Sequence, residues 1–135
     1  MIVLDASAAI EWLLGRDLGE QVAQRLLAPD QSVHVPHLWS VEVAQVLRRF
    51  VRSGTLTPDR ARQAVGDAKD LPAARYPHEP LLDRAWQLRD NMTIYDGVYL
   101  ALAEALDAPL VTTDERMQSS PGHDANVDLI TGRPS

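Results

Sequence analysis

The sequence predicts an α/β fold, a mostly parallel sheet with helices packed on both faces. Short strand-like runs recur at residues 2–4, 33–35, 74–76, 110–112 and 127–130, and stretches of helical periodicity separate them. Strands that alternate with helices pair in parallel, because each crossover helix returns the chain to the same end of the sheet. The chain has 135 residues, 45% of them hydrophobic, which suits one compact domain and argues against wholesale disorder.

Each element has a local reason. "IVL" at 2–4 is a short buried strand that runs straight into the helical "SAAIEWLL". A second helix covers 18–28 and stops at "PD"; "VHV" at 33–35 is a strand closed by Pro36. Residues 38–53 form a long helix ended by Ser53-Gly54. Thr57-Pro58-Asp59 then opens another, to about Leu71, with proline at the first helical position. Pro72 and Pro77 bracket the strand "ARY" at 74–76, and helices at 79–90 and 94–106 follow. "LVT" at 110–112 is a strand with a short helical turn after it, and "VDLI" at 127–130 is the last strand. The tail "TGRPS", 131–135, is expected to fray. No repeat, low-complexity tract or linker divides the chain, so residues 1–135 are expected to form a single domain.

Composition removes several classes of function. There is no cysteine, hence no disulfide, thiolate metal site or cysteine nucleophile. "MIVLD" lacks the basic region of a signal peptide, and no apolar run approaches the ~20 residues of a membrane span. A soluble cytoplasmic protein without a membrane partner is expected. No G-x-x-x-x-G-K, G-x-G-x-x-G or G-x-S-x-G is present, which removes P-loop, dinucleotide and serine-hydrolase readings. His34 and His37 flank a strand end and Pro36 and do not repeat the H-E-x-x-H zinc spacing; His123 sits in a polar loop. The net charge of −6 argues at first against nucleic acid. Yet twelve of the thirteen positive residues are arginine, whose planar fork suits phosphate, and Lys69 is the one lysine.

Four acids stand out by position. Asp5 directly follows the first strand, and Asp114 follows "LVT" within two residues. In parallel α/β sheets, ligands bind beyond the carboxyl ends of the strands, so both lie on the rim to inspect. Asp96 lies in "TIYDGVYLALAEAL", apolar nearly all round if helical, and at about 100° per residue it points with Leu100 and Ala103. Glu42, in "HLWSVEVAQVLRRF", lies one turn from Leu38 and from Val46. Each acid also has a plain structural explanation. Asp5 and Asp114 are in helix-capping positions, Thr93 and Asp96 fit a capping box, and Arg49 is a candidate ion-pair partner for Glu42. The topology permits all four to converge. Two carboxylates 4 Å apart repel by roughly 4 kcal/mol at an effective dielectric near 20. Against a domain stability of only about 5–15 kcal/mol, such a cluster must keep protons or hold a cation. Oxygen-only ligation points to Mg²⁺ or Mn²⁺.

"IVLDASAAIEWLL", "HLWSVEVAQVLRR", "LRDNMTIYDGVYLALAEAL" and "LVTTDERM", in this order, resemble PIN-domain ribonucleases, and most of all the VapC-type toxins of bacterial toxin–antitoxin pairs. The resemblance spans about residues 2 to 130. It implies a three-layer α/β/α sandwich, metal-dependent endonucleolytic cleavage of RNA, a VapB-type antitoxin that blocks the site, and commonly a homodimer. The family's acidic quartet maps onto Asp5, Glu42, Asp96 and Asp114. Asp5, Asp96 and Asp114 are expected to ligate the metal, and Glu42 to orient the water or bind a second ion. Ser7 and Thr112 or Thr113 would supply hydroxyl hydrogen bonds that aim the ligands. Glu115 and Asp124 are candidates for a fifth acid. Gly97 departs from the alanine expected there, a loss of up to about 1 kcal/mol in helix propensity. Arg48, Arg49 and Arg52, together with Arg89 and Arg116, are candidates for RNA contact. Trp12, Trp39 and Trp86 are read as core or half-buried residues, and Trp12 with Leu13 and Leu14 also as a groove for an antitoxin helix.

Two other functions compete. A phosphohydrolase of the haloacid-dehalogenase sort wants a second aspartate two residues after the first, where Ser7 stands, and a lysine, for which only Lys69 is available. A non-catalytic module would use the acids only as caps and ion pairs.

Overall fold

The structure, a computed structural model, describes residues 1–132. Five parallel strands form one sheet: β1 (Ile2–Leu4), β2 (Val33–Pro36), β3 (Ala74–Tyr76), β4 (Leu110–Thr112) and β5 (Val127–Leu129), in the order β3-β2-β1-β4-β5. The register is set at the centre by Val3 opposite His34 on β2 and opposite Leu110 on β4. The chain steps outward from β1 through β2 to β3, then crosses back to β4 on the other side of β1. The carboxyl ends of β1 and β4 therefore flank a topological switch point, where crossovers leave in opposite directions and open a crevice.

Among the described residues seven α-helices cover the sheet: α1 (Ala6–Leu13), α2 (Gly19–Leu26), α3 (Leu38–Arg52), α4 (Pro58–Asp70), α5 (Leu82–Gln87), α6 (Ile94–Leu106) and α7 (Glu115–Ser119). α1 packs on α2, α3 and α4. α6 packs on α5 and lies across β1, β2 and β4. With right-handed crossovers the two groups fall on opposite faces of the sheet, giving the three-layer arrangement expected. One core joins them: Val3 and Leu4 from the sheet, Ala8 and Ile10 from α1, Val43 and Leu47 from α3, and Val98 to Ala103 from α6 are all buried.

Element ends follow the local chemistry. α3 closes with Gly54 at φ +78°, its N–H on the Val51 carbonyl at 3.1 Å and the Thr55 N–H on the Phe50 carbonyl at 3.0 Å, a Schellman ending. Thr57 caps α4 by accepting the Arg60 N–H at 3.2 Å, with Pro58 in the first turn. The helix expected over 79–90 is shorter. Residues 79–81 form a 3-10 turn, α5 ends at Gln87, and the bonds from Arg89 to Trp86 and from Asn91 to Leu88 span three residues, not four. Gly97 has a packing reason. A Cβ there would meet Ala85 Cα and Cβ at 3.1 Å, so the glycine lets α5 and α6 approach closely. Of the tail expected to fray, Thr131 is tied down by the Gln21 amide on its carbonyl at 3.0 Å, and residues 133–135 lie outside the described residues.

Candidate active site

Asp5 leaves β1 with its N–H on the Val111 carbonyl at 3.0 Å, so the sheet itself fixes the backbone of the first acid. Its side chain is not a helix cap: it makes no capping bond to α1. Asp5 Oδ2 instead accepts the Thr112 hydroxyl at 2.6 Å and the Ser7 hydroxyl at 2.8 Å. Ser7 Oγ lies 3.2 Å from Thr112 Oγ1 and accepts the Thr113 N–H at 3.1 Å, and Thr112 Oγ1 accepts the Asp114 N–H at 3.0 Å. Two hydroxyls thus tie the ends of β1 and β4 together and hold Asp5 and Asp114 in register. Of the two threonines, Thr112 contributes its hydroxyl and Thr113 its backbone N–H.

Asp96 stands at the third position of α6, and its N–H donates to Thr93 Oγ1 at 3.2 Å. Thr93 is therefore the cap of α6, and the Asp96 carboxylate is part-buried on the face of Leu100 and Ala103, as expected. Glu42 is half-buried on α3. It makes no ion pair with Arg49 among the described residues, and Glu42 Oε1 is buried without a hydrogen-bond partner. The hydroxyl of Tyr99, one turn beyond Asp96 on α6, is likewise buried and unpartnered.

All four acids line one cavity of about 460 Å³, with Ser7, Arg49 and Arg116. They also feel one another. Burial pushes the Asp5 carboxyl up, and the Asp96 charge adds to this against the Thr112 and Ser7 hydroxyls. Burial likewise raises Glu42 to about 6, opposed by nearby Tyr99 and reinforced by Asp5 and Asp96. Asp96 is raised by burial and then by Asp114. Tyr99 is raised by burial, then by Asp5 and Glu42, and stays a neutral hydroxyl. Asp114 goes the other way. The Arg116 guanidinium binds both its oxygens, at 3.1 and 2.9 Å, and holds it below the usual carboxylate range. Its Oδ1 also accepts the Arg116 N–H at 3.0 Å, so Asp114 caps α7 as well.

The donor set fits a hard divalent cation. Every donor is oxygen, Glu42 Oε1 is buried without a hydrogen-bond partner, the Asp96 charge pushes the proton affinity of Asp5 upward, and the charges of Asp5 and Asp96 push that of Glu42 upward. As the side chains lie, no three acids or histidines among the described residues stand close enough to share one ion. One contributor is visible at Asp114, which is turned onto Arg116.

The remaining candidates divide. Arg49 lines the acid cavity. Arg89 lines an adjoining cavity of about 410 Å³ that shares Asp96 and Arg116 with it. Arg48 and Arg52 are exposed on α3 and line neither of these two cavities. Glu115 is exposed and does not line the acid cavity. Asp124 lies at the opposite end of the sheet, beside Glu104 and Pro109, and is no fifth acid of this site. His34 is buried between Ser32 Oγ at 2.8 Å and the Tyr76 hydroxyl at 2.6 Å, a structural histidine. Lys69 is exposed on α4 and does not line the acid cavity, so the phosphohydrolase pattern has no lysine here. Trp39 is buried and Trp12 half-buried, but Trp86 is 60% exposed with the Arg89 guanidinium 4.7 Å above its ring, a correction to its reading as a core or half-buried residue. Sequence reasoning missed Tyr99, buried behind the site and within electrostatic reach of Asp5 and Glu42. The signal was present: a tyrosine three residues after Asp96 puts its hydroxyl on the same helical face. It also missed Val41 and Tyr95, 70% and 62% exposed at the cavity and each adjacent in sequence to an acid.

The chain resembles known proteins over nearly its whole length. The PIN domain family model matches residues 2–122. Ribonuclease VapC12 of Mycobacterium tuberculosis is 42% identical over 130 residues, 96% of this chain and 99% of that protein. Among solved structures, PAE2754 from Pyrobaculum aerophilum superposes with a TM-score of 0.70 at 20% identity, covering 95% of this chain and 83% of that one. VapBC2 from Rickettsia felis, bound to a DNA fragment from their promoter, gives 0.69 at 14% identity, with 97% and 100% covered. No described helix is long and apolar enough to cross a membrane. The chain belongs to the PIN-domain family, among the VapC ribonucleases.

Proposed function

We propose that this protein is the endoribonuclease toxin of a toxin–antitoxin pair, that residues 1–135 act as one catalytic domain, and that Asp5, Glu42, Asp96 and Asp114 are its catalytic acids. One observation carries the site assignment: four carboxylates from four separate elements line a single cavity at the switch point of a parallel sheet. Asp5, Asp96 and Asp114 hold Mg²⁺, with Mn²⁺ able to replace it. The bound ion supplies an acidified water and offsets the charge that grows on the phosphate. Ser7 and Thr112 keep Asp5 aimed. Glu42, raised to about 6, is suited to orient the attacking water and take its proton near neutral pH. Arg49, Arg89 and Arg116 along the two cavities give the RNA backbone a local positive track despite the net charge of −6.

The partners follow the same reading: RNA as substrate and a VapB-type antitoxin as inhibitor, in the cytoplasm. Of the groove expected for an antitoxin helix, the half-buried Trp12 lines an apolar cavity of about 570 Å³ with Leu26, Leu27, Leu71 and Pro72, whereas Leu13 and Leu14 do not line it. The homodimer rests on the family resemblance, and light scattering on the purified protein tests it.

Purified protein is expected to cleave RNA with Mg²⁺ or Mn²⁺, to stop with EDTA, and to lose more than about a hundredfold in activity in Asp96→Asn, beyond what loss of an outer supporting group costs. Robust cleavage by Asp96→Asn would refute the site assignment.

A further inference from the structure

An ionised carboxylate offers about four lone-pair directions. At Asp114 three are taken by one residue: Arg116 Nε and N–H on Oδ1, at 3.1 and 3.0 Å, and Nη2 on Oδ2 at 2.9 Å. The guanidinium matches the carboxylate in shape, and at only two residues' separation little chain entropy opposes the closure. The same side chain is 79% exposed and lines both the acid cavity and the adjoining one. We propose that Arg116 is a built-in competitor of the divalent ion. The guanidinium occupies Asp114 in the resting protein, the ion gains that carboxylate only as Arg116 leaves it, and Arg116 thereby sets the metal affinity of the site.

This rests on the metal-dependent reading above and extends it. Off Asp114, the guanidinium has the adjoining cavity to turn into, with Arg89 on its wall. An RNA phosphate held there keeps Arg116 away from the carboxylate, so RNA and metal each strengthen the binding of the other. The site then fills with metal most readily when substrate is present.

The test is calorimetric titration with Mn²⁺ alone, without RNA, on the wild type, Arg116→Gln and Arg116→Lys. Lysine keeps the charge but cannot span two oxygens. Both variants are expected to bind Mn²⁺ about two- to fivefold more tightly, as release of an exposed pair allows. In an Asp114→Asn background, Arg116→Lys should change nothing, because no carboxylate remains to release. If Arg116→Gln tightens binding while Arg116→Lys matches the wild type, bulk charge is the cause and the proposal falls. It falls equally if neither variant differs from the wild type or if both bind more weakly. Failure of the wild type and of every variant to bind Mn²⁺ would remove the four-acid reading itself, a different outcome. A crystal structure with Mn²⁺ gives a second readout: Arg116 should stand off Asp114, and an intact fork beside a metal-bound Asp114 would overturn the inference.

Discussion

Asp5 and Asp114 occupy equivalent places, just past the ends of adjacent parallel strands, yet they differ in nearly every electrostatic respect. Asp5 is 7% exposed and its carboxylate accepts two neutral hydroxyls, with no cation beside it among the described residues, so burial dominates and its proton affinity rises. Asp114, its side chain 24% exposed, meets a guanidinium, so its proton affinity falls. The strand end gives both residues the same address. Their neighbours decide which is under strain when charged. Asp5 is poised to welcome a cation, while Asp114 already has one.

The sharpest way to break this contrast is at the atom both residues share. Thr112 Oγ1 donates to Asp5 Oδ2 at 2.6 Å and accepts the Asp114 N–H at 3.0 Å. Thr112→Val keeps the shape and loses both bonds. It is expected to cost roughly 10–100-fold in metal affinity or RNA cleavage, as measured by Mn²⁺ titration and initial rates. A change under threefold would mean that the hydroxyl pair does not aim the ligands.

Next comes the contrast itself, read by thermal melting in EDTA. Asp5→Asn retains an acceptor for Ser7 and Thr112 while removing a buried charge, so the melting temperature should rise by roughly 2–6 °C, the effect of about 1 kcal/mol in a chain of this size. Asp114→Asn keeps a good cap residue but loses the ion pair, and should melt about 1–2 °C lower. Shifts of the same sign would show that the two acids do not differ as described.

The contrast also has a pH signature. Glu42 titrates near 6 when folded, against an ordinary value of 4.5, because burial disfavours its charged form. The folded state thus holds this proton more tightly than the unfolded chain. The resulting stability is fully present below about pH 4.5 and is lost as pH rises through 6. Asp5 and Asp96 act with the same sign. Asp114 acts oppositely, with stability present above its usual 3.8 and lost as pH falls below that. Metal-free protein should therefore melt a few degrees lower at pH 7 than at pH 5, and Glu42→Gln should flatten that slope. An unchanged slope in the variant would remove Glu42 from the coupled group.

The sequence carried much of this because its strongest signals are local. The apolar runs at 2–4 and 110–112, each followed by an aspartate, mark β1, β4 and the rim between them. Thr93 before Asp96 marks the start of α6, and there the cap residue accepts the backbone N–H of the site acid. What was not legible depends on distance or on fine geometry. Asp5 looks like a cap in sequence, but the hydroxyl that claims it belongs to Thr112, 107 positions away. Arg116 reads as a phosphate-binding arginine, yet one short turn folds it back onto Asp114. Trp86 reads as half-buried, but α5 turns its ring to solvent under Arg89. Gly97 looks like a weak point until Ala85 is seen 3.1 Å from where its Cβ would sit.

The smallest expected effect separates two adjacent threonines that the sequence could not rank. Thr113 joins the network through its backbone N–H, which donates to Ser7 Oγ at 3.1 Å, whereas Thr112 uses its hydroxyl twice. Valine is β-branched like threonine and keeps the N–H, so Thr113→Val preserves the contact and the backbone preference alike. Its cleavage rate and Mn²⁺ affinity should stay within about twofold of the wild type, against the 10–100-fold expected from the same change one residue earlier. Equal losses at the two positions would mean that the hydroxyls aiming Asp5 have been assigned to the wrong threonine, or to too few of them.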